Sequence, residues 1–173
     1  MRQPVEGVTP FPGATEEMSP QPCDEMTHYR GAGLLQGKRA LITGGDSGIG
    51  RAVAIAFAKE GADVAIVHLS EREADDAERT RRLVRDAGRD CRVYRLDLAE
   101  ADNCVDAVER AVADLGGLDI VVNNVGFQSP VDDFLDIAPD QWDHTFRVNI
   151  DSFFHVTRAA LPHLERGASI INT

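Results

Sequence analysis

The chain has 173 residues, of which 43% are hydrophobic, which is enough to bury the core of one domain. Its formal net charge of -11 argues against a protein that binds the nucleic-acid phosphate backbone, because such binding needs clustered Lys and Arg. No apolar run approaches the roughly 18 residues of a membrane-spanning helix, so we expect no membrane partner.

The cysteine pattern bears on metal sites and on the compartment. Cys23, Cys91 and Cys104 are odd in number and widely spaced, without the CxxC spacing of a zinc site or redox pair. They are typical of free thiols in a reducing compartment, and the first residues lack the basic and then apolar order of a secretory signal. The sequence therefore predicts a cytoplasmic protein without a metal site.

The first segment, residues 1–37, holds five of the eight prolines of the chain. Proline fixes its own backbone angle and removes a hydrogen-bond donor, so regular helices and strands are disfavoured here. We interpret this segment as an extended N-terminal arm, which either packs on the following domain or a neighbouring subunit, or forms a disordered tail.

From Lys38 onward, short apolar runs alternate with longer helical patterns. The runs predict five buried strands, at residues 39–43, 63–68, 90–95, 118–123 and 169–173. Apolar residues at helical spacing predict helices beginning near Ile49, around Val105–Val112 and over Trp142–Leu164. The polar segment 71–88 predicts a surface helix, on which Asp75 and Asp76 indicate a solvated face in preference to a metal site. Such alternation is typical of an α/β fold with a parallel sheet covered by helices on both faces.

The glycine-rich stretch TGGDSGIG, residues 43–50, joins the first predicted strand to the first helix. Glycine permits the backbone angles of such a sharp turn, and a helix N-terminus offers unpaired N–H groups to an anion. This pattern indicates a cradle for a pyrophosphate, although its TGxxxGxG spacing differs from the general GxGxxG fingerprint. A plain glycine turn is the alternative interpretation, which the flanking strand and helix disfavour.

With these motifs the chain resembles the short-chain dehydrogenase/reductase family, from Lys38 to the last residue. TGGDSGIG is similar to the family's cofactor loop, and Asp97 in RLDLAE matches the acid that contacts adenine. NNVG, residues 123–126, is similar to the family's NNAG, and Asn149 in FRVNI matches an asparagine that helps to hold a proton-relay water. The N-terminal arm is similar to that of a bacterial subgroup.

The resemblance implies a Rossmann-type, doubly wound parallel sheet, truncated here after the fifth strand. It also implies a set of candidate cofactor-binding residues: Thr43, Gly44, Asp46, Ser47, Gly48, Ile49, Gly50, Asp97, Leu98, Asn123, Asn124 and Gly126. Asn149 is the candidate catalytic residue.

The chain departs from the family pattern in two places. Val125 replaces the usual alanine, which adds two methyl groups where backbone and cofactor pack closely. The family's catalytic serine and Tyr-x-x-x-Lys have no counterparts before Thr173, because neither Tyr29 nor Tyr94 precedes a lysine by four positions. Loss of general acid–base help costs typically 10²- to 10⁴-fold in rate, so we expect this chain alone to be inactive.

Two functions remain open. The first is an NAD(P)-dependent oxidoreductase that transfers a hydride between nicotinamide and an alcohol or carbonyl substrate, and forms a homo-oligomer at full length. The second is a non-catalytic remnant or sensor that binds a dinucleotide. Val67, His68 and Leu69 stand where an acid would favour NAD, while Ser70 and Arg72 are suited to a 2′-phosphate, so the sequence leans slightly to NADP.

Overall fold

The computed structural model describes residues 11–173, so the first ten residues of the predicted arm lie outside the described residues. Five strands form one sheet in the order β3-β2-β1-β4-β5, and every neighbouring pair is parallel. The strands are β1 (Arg39–Thr43), β2 (Asp63–His68), β3 (Cys91–Arg95), β4 (Ile120–Asn123) and β5 (Ser169–Asn172). The predicted doubly wound α/β fold is confirmed.

Alternating side chains of the central strands enter two separate cores, one on each face of the sheet. Ala40 and Ile42 pack with one pair of helices, whereas Leu41 packs with the other pair. The first pair is α1 (Gly48–Lys59) and α2 (Ala74–Asp86), and the second is α3 (Ala101–Leu115) and α5 (Ser152–Ala160). Because β1 is buried on both faces, its three inner residues, Ala40, Leu41 and Ile42, are all apolar.

The long helix predicted over Trp142–Leu164 is divided. Helix α4 (Pro139–Phe146) continues into a π-helical turn, Arg147–Asp151, and then into α5, after which Leu161–His163 is a 3-10 turn. The π turn contains Asn149, whose side chain bonds to the backbone of a neighbouring loop. An inserted residue of this kind is frequently found at functional sites.

The described part of the arm packs along α1 and α2. Near the C-terminal end of α1, the Glu60 carboxylate accepts the N–H groups of Ala32 at 2.9 Å and Leu34 at 2.8 Å, and the Tyr29 hydroxyl also donates to it. On α2, Asp76 accepts the N–H of Thr15 at 2.7 Å. Of the three alternatives considered from the sequence, residues 11–37 follow the first: they pack on the domain of their own chain.

This packing changes the surface of α2. Asp76 was expected on a solvated face, but its side chain is only 12% exposed and pairs with the guanidinium of Arg51 at 2.6 Å. Arg79 pairs with Glu25 of the arm and not with Asp75. Because the arm covers this side of α2, its charges meet partners that are distant in sequence.

In residues 11–173, no helix combines the length and the apolar character needed to cross a bilayer. Nor does this range contain a group of three His, Cys, Asp or Glu residues placed to hold a metal ion.

Candidate dinucleotide site

One cavity of about 350 Å³ lies where the carboxyl ends of four neighbouring strands meet, and we call it the main cavity. Its lining comes from the segments that follow β1, β2, β3 and β4: Gly44, Asp46 and Ser47; His68 and Leu69; Leu96 to Ala99; and Asn124 to Gly126. In open α/β sheets, ligands bind at this edge, beside the point where the strand order reverses. That point is between β1 and β4 here.

The glycine loop, residues 43–50, turns the chain from β1 into α1 at the floor of the main cavity. At Gly50, a Cβ atom would lie 1.9 Å from the carbonyl oxygen of Gly44, so only glycine fits the present backbone. Gly48 adopts a φ of 52°, in the left-handed region. The loop therefore requires glycine at one position for a close approach and at the other for the backbone angle.

The first turn of α1 leaves backbone donors for an anion. The N–H groups of Ile49 and Gly50 have no acceptor within the helix, because they belong to its first turn. From the sequence, the N–H of Gly48 is also expected to be free for an anion. In the structure it donates to the Asp24 carboxylate of the arm at 2.9 Å. Ile49, which carries one of these amides, is among the residues that line the main cavity.

Thr43 and Asn124, the second asparagine of NNVG, join the end of β1 to the end of β4. The Thr43 hydroxyl accepts the N–H groups of Asn124 at 2.9 Å and Val125 at 3.0 Å. The Asn124 amide donates to the carbonyls of Thr43 at 3.1 Å and Gly44 at 2.9 Å. Thr43 is fully buried behind the main cavity, so its position indicates that it shapes the site without lining it.

Asn123 is also fully buried. Its amide nitrogen donates to the hydroxyl of Thr157 at 3.1 Å and to the side-chain oxygen of Asn172 at 2.9 Å, which links β4 to α5 and β5. Within residues 11–173 its own side-chain oxygen has no hydrogen-bond partner. The residue stabilises the sheet edge from behind the main cavity.

Three titratable side chains lie at the β2 side of the main cavity. Burial raises the pKa of Asp46, which is 5% exposed, and raises that of Glu73; burial lowers the pKa of His68. The Ser47 hydroxyl donates to Asp46 at 2.9 Å, and the ring Nδ1 of His68 lies 3.0 Å from the carbonyl oxygen of Ser70. These groups give this end of the cavity a polar wall, in which burial disfavours the charged form of each group.

Ser70 and Arg72, the predicted 2′-phosphate ligands, have protein partners. The backbone N–H of Ser70 donates to Glu73 at 2.7 Å, and its hydroxyl does so at 3.3 Å. The Arg72 guanidinium donates to both carboxylate oxygens of Glu17, at 2.6 and 2.7 Å, in an exposed ion pair. Neither residue lines the main cavity.

Asp97 and Leu98, for which the family resemblance implies contact with the adenine, line the main cavity after β3. One carboxylate oxygen of Asp97 accepts the N–H of Ala99 at 2.9 Å, and its carbonyl accepts the side-chain amide of Asn103 at 2.8 Å. These bonds fix the orientation of the Asp97 backbone and carboxylate at the rim.

Asn149 does not line the main cavity, although it lies beside it. Its oxygen accepts the N–H of Phe127 at 2.7 Å, and its amide donates to the carbonyl of the same residue at 2.9 Å. The Phe127 ring contacts that of His144 edge-to-face, with centroids 4.5 Å apart, and His144 lines the cavity. Asn149 thus orders the segment after NNVG.

The structure brings most of the predicted residues to one place. Eight of them line the main cavity: Gly44, Asp46, Ser47, Ile49, Asp97, Leu98, Asn124 and Gly126. The other five, Thr43, Gly48, Gly50, Asn123 and Asn149, support the lining from behind.

Sequence reasoning missed the contribution of the arm. Phe11, Pro12, Gly13 and Met18 line the main cavity, as does Glu73. The Ser-x-x-Glu spacing of a capping box at residues 70–73 could have marked Glu73, but no local signal indicates where a proline-rich segment will pack.

The residues present fit a dinucleotide. The cavity volume lies in the usual range for small-molecule sites, roughly 300–1,000 Å³. A glycine loop and helix N-terminus suit a pyrophosphate, and acceptors and apolar groups after β2 and β3 suit an adenosine.

Comparisons with known proteins agree with this geometry. The family model described as short chain dehydrogenase matches residues 38–173. The uncharacterized oxidoreductase YhdF of Bacillus subtilis is 50% identical over 162 residues, covering 94% of this chain and 55% of that protein. The chain thus spans little more than half the length of the curated relatives it matches.

Solved structures share the fold. A short chain dehydrogenase from Burkholderia cenocepacia in complex with NADP matches with a TM-score of 0.77 and 37% identity, over 80% of this chain and 56% of that one. An NADH-dependent reductase responsible for alginate metabolism matches with a TM-score of 0.74 and 29% identity, over 81% and 59% of the two chains.

Proposed function

Because the chain belongs to the short chain dehydrogenase family, we propose that it forms the dinucleotide-binding part of an oxidoreductase acting on an alcohol or carbonyl substrate. The observation that carries this proposal is the main cavity, lined from the ends of four parallel strands and floored by the glycine loop. A bound nicotinamide would supply the hydride chemistry, and the protein would place it.

Different residues of this chain would contact different parts of the dinucleotide. The amides of the α1 N-terminus, with Ser47 beside them, would hold the pyrophosphate. Asp97 and Leu98 would contact the adenine, while Asn124 and Gly126 would pack along the adenosine. Asn149 would act indirectly, by keeping the segment after Gly126 in position.

Isothermal titration of the purified protein with NADP and with NAD tests the proposal, followed by absorbance at the nicotinamide band with a panel of alcohols and carbonyls. Saturable binding with turnover supports the oxidoreductase. Binding without turnover supports the second candidate, a non-catalytic dinucleotide binder. Absence of binding contradicts both.

We propose NADP as the preferred cofactor. Two observations support this choice. The end of β2 carries no acid, because Val67, His68 and Leu69 stand there. Arg72 lies close by in an exposed ion pair with Glu17, whose carboxylate a 2′-phosphate can replace. Arg72→Gln should weaken NADP binding and leave NAD binding unchanged. Arg79→Gln is the matched control, because Arg79 makes a similar exposed pair with the arm. Equal effects of both variants on NADP would contradict the choice.

We also propose that the protein is a homo-oligomer. An apolar stripe runs over α4, the π turn, α5 and the start of the following 3-10 turn, formed by the exposed residues Trp142, Phe146, Ile150, Phe154 and Leu161. Exposed apolar patches of this kind are typical of protein–protein contact sites.

A further inference from the structure

The arm contributes directly to the wall of the main cavity. Phe11, Pro12, Gly13 and Met18 line it together with residues of the glycine loop. The ring of Phe11 contacts that of Phe127 edge-to-face, with centroids 4.8 Å apart, and Phe127 in turn contacts His144. A ligand in the cavity therefore touches a segment that precedes the sheet in sequence.

A buried charge cluster holds the arm to the glycine loop. Arg51, on the first turns of α1, has no exposed surface and pairs with Asp24 of the arm at 3.1 Å and with Asp76 of α2 at 2.6 Å. Its Nε also donates to the carbonyl of Asp46, in the loop, at 2.9 Å. One guanidinium thus joins the arm, the loop and two helices.

Asp24 makes a second contact that reaches the loop itself. The same carboxylate oxygen that faces Arg51 accepts the N–H of Gly48 at 2.9 Å. Gly48 has a left-handed backbone angle, and Ile49 beside it lines the main cavity. Asp24 therefore fixes the arm and the geometry of the α1 N-terminus together.

We propose that the arm is part of the dinucleotide site, and that Asp24 is a positioning residue which couples docking of the arm to the binding of the cofactor. The inference rests on the proposed function, because the ligand is the dinucleotide proposed above. Coupling of this kind is reciprocal: if the docked arm favours the dinucleotide, the bound dinucleotide must favour the docked arm by the same factor.

The substitution Asp24→Asn removes the charge of this side chain and changes little else at the position. Asp24→Asn keeps the size of the side chain and an oxygen that can accept from Gly48, but leaves the buried Arg51 with one carboxylate, that of Asp76. Asp76 itself has a lowered pKa: burial opposes ionisation, but the hydrogen bonds from Thr15 and Arg51 outweigh it. The variant should therefore loosen the arm more than it unfolds the domain.

The matched control is Glu25→Gln. Glu25 is the next residue of the arm and pairs with Arg79 on the surface of α2, away from the loop. Both variants remove one carboxylate from the arm, but only Asp24 contacts the α1 N-terminus. A general effect of arm charge would appear in both variants.

The experiment measures NADP affinity by isothermal titration and hydrogen exchange of residues 11–37 with and without NADP. In the unmodified protein, NADP should slow exchange in the arm. Asp24→Asn should weaken binding by about tenfold, within the range of typical coupling, and lose most of the NADP-induced protection. Glu25→Gln should bind as the unmodified protein does. A purely structural role would not produce protection that depends on the ligand.

A second variant covers the case in which Asp24→Asn does not fold. Phe11→Ala removes an arm ring from the cavity wall without touching the charge cluster, and should weaken NADP binding while leaving the thermal transition unchanged. If the unmodified protein binds NADP but its arm shows no added protection, or if the folded variants bind as tightly, the inference is wrong and the proposed function stands. If the unmodified protein binds neither dinucleotide, both are wrong.

Discussion

Asp46 is a buried carboxylate that has no ion-pair partner within residues 11–173. Burial raises its pKa above the unfolded value near 3.9, and the hydroxyl of Ser47 only partly offsets this. Between the two pKa values the folded state binds more protons than the unfolded state. The free energy of unfolding therefore falls as the pH rises through that window, and the cost persists at neutral pH.

Asp46→Asn should remove this cost. We expect a higher free energy of unfolding than in the unmodified protein at pH 7, with the difference shrinking toward zero below about pH 4. Urea denaturation at several pH values measures it. Asp75→Asn is the control, because Asp75 is exposed on α2 and should give no such trend. A lower stability of Asp46→Asn at pH 7 would contradict the argument.

The glycines of the loop allow a comparison of two constraints. A Cβ at Gly48 meets nothing within 4 Å, so Gly48→Ala should cost only the left-handed backbone angle, about 1–2 kcal/mol. A Cβ at Gly50 would meet the backbone oxygen of Gly44, which cannot rotate away. Gly50→Ala should therefore lower the urea midpoint by at least twice as much. Equal losses would show that the loop relaxes freely.

At the scale of elements, the π turn within the predicted long helix holds the segment after β4 through one side chain. Asn149 saturates both backbone polar groups of Phe127, so Asn149→Ala leaves them without partners, at a cost of about 1–3 kcal/mol. Chemical denaturation measures this loss. Asp151→Ala, an exposed substitution in the same turn, should stay within about 0.5 kcal/mol. A similar loss of unfolding free energy in both variants would show that the cost comes from disturbing the π turn and not from losing the Asn149 hydrogen bonds.

The strands of the sheet could be predicted because the pattern that indicates each strand lies within a few consecutive residues. β1 and β2 match the expected bounds, since each is an apolar run ended by a polar or glycine-rich turn. The helix over Trp142–Leu164 was predicted without its break, because residues 142, 146, 150 and 154 are apolar at regular intervals of four. A spacing of four drifts by about 40° per step on a regular helix, and the π turn offsets that drift.

The arm could not be placed from the sequence. Its carboxylates pair with Arg51, Arg72 and Arg79, and single charged residues separated by such distances along the chain form no pattern that the sequence reveals. Arg51 itself lies within an otherwise apolar helical segment, and its complete burial depends on two partners from different elements. The residues of the glycine loop and of NNVG could be identified because each group forms a short motif whose spacing is visible in the sequence.

At the scale of the whole molecule, the apolar stripe gives one expectation. Sedimentation velocity should show species heavier than the monomer at micromolar concentration, because the stripe exposes large side chains such as Phe154, which is 58% exposed. Phe154→Glu should shift the distribution toward monomer. Leu135→Glu is the control, since Leu135 is 88% exposed but lies outside the stripe. Equal distributions for all three proteins would contradict self-association through this face.

The contacts of the arm also bear on the order in which the chain folds. Asp24 meets Gly48 across 24 positions and Lys59 meets the carbonyl of Met26 across 33, whereas the contact of Gly44 with Asn124 spans 80. Contacts over shorter separations close faster, and synthesis delivers the N-terminal elements first. We therefore expect the arm, β1 and α1 to assemble as an early unit, onto which the segment after β4 later closes the main cavity.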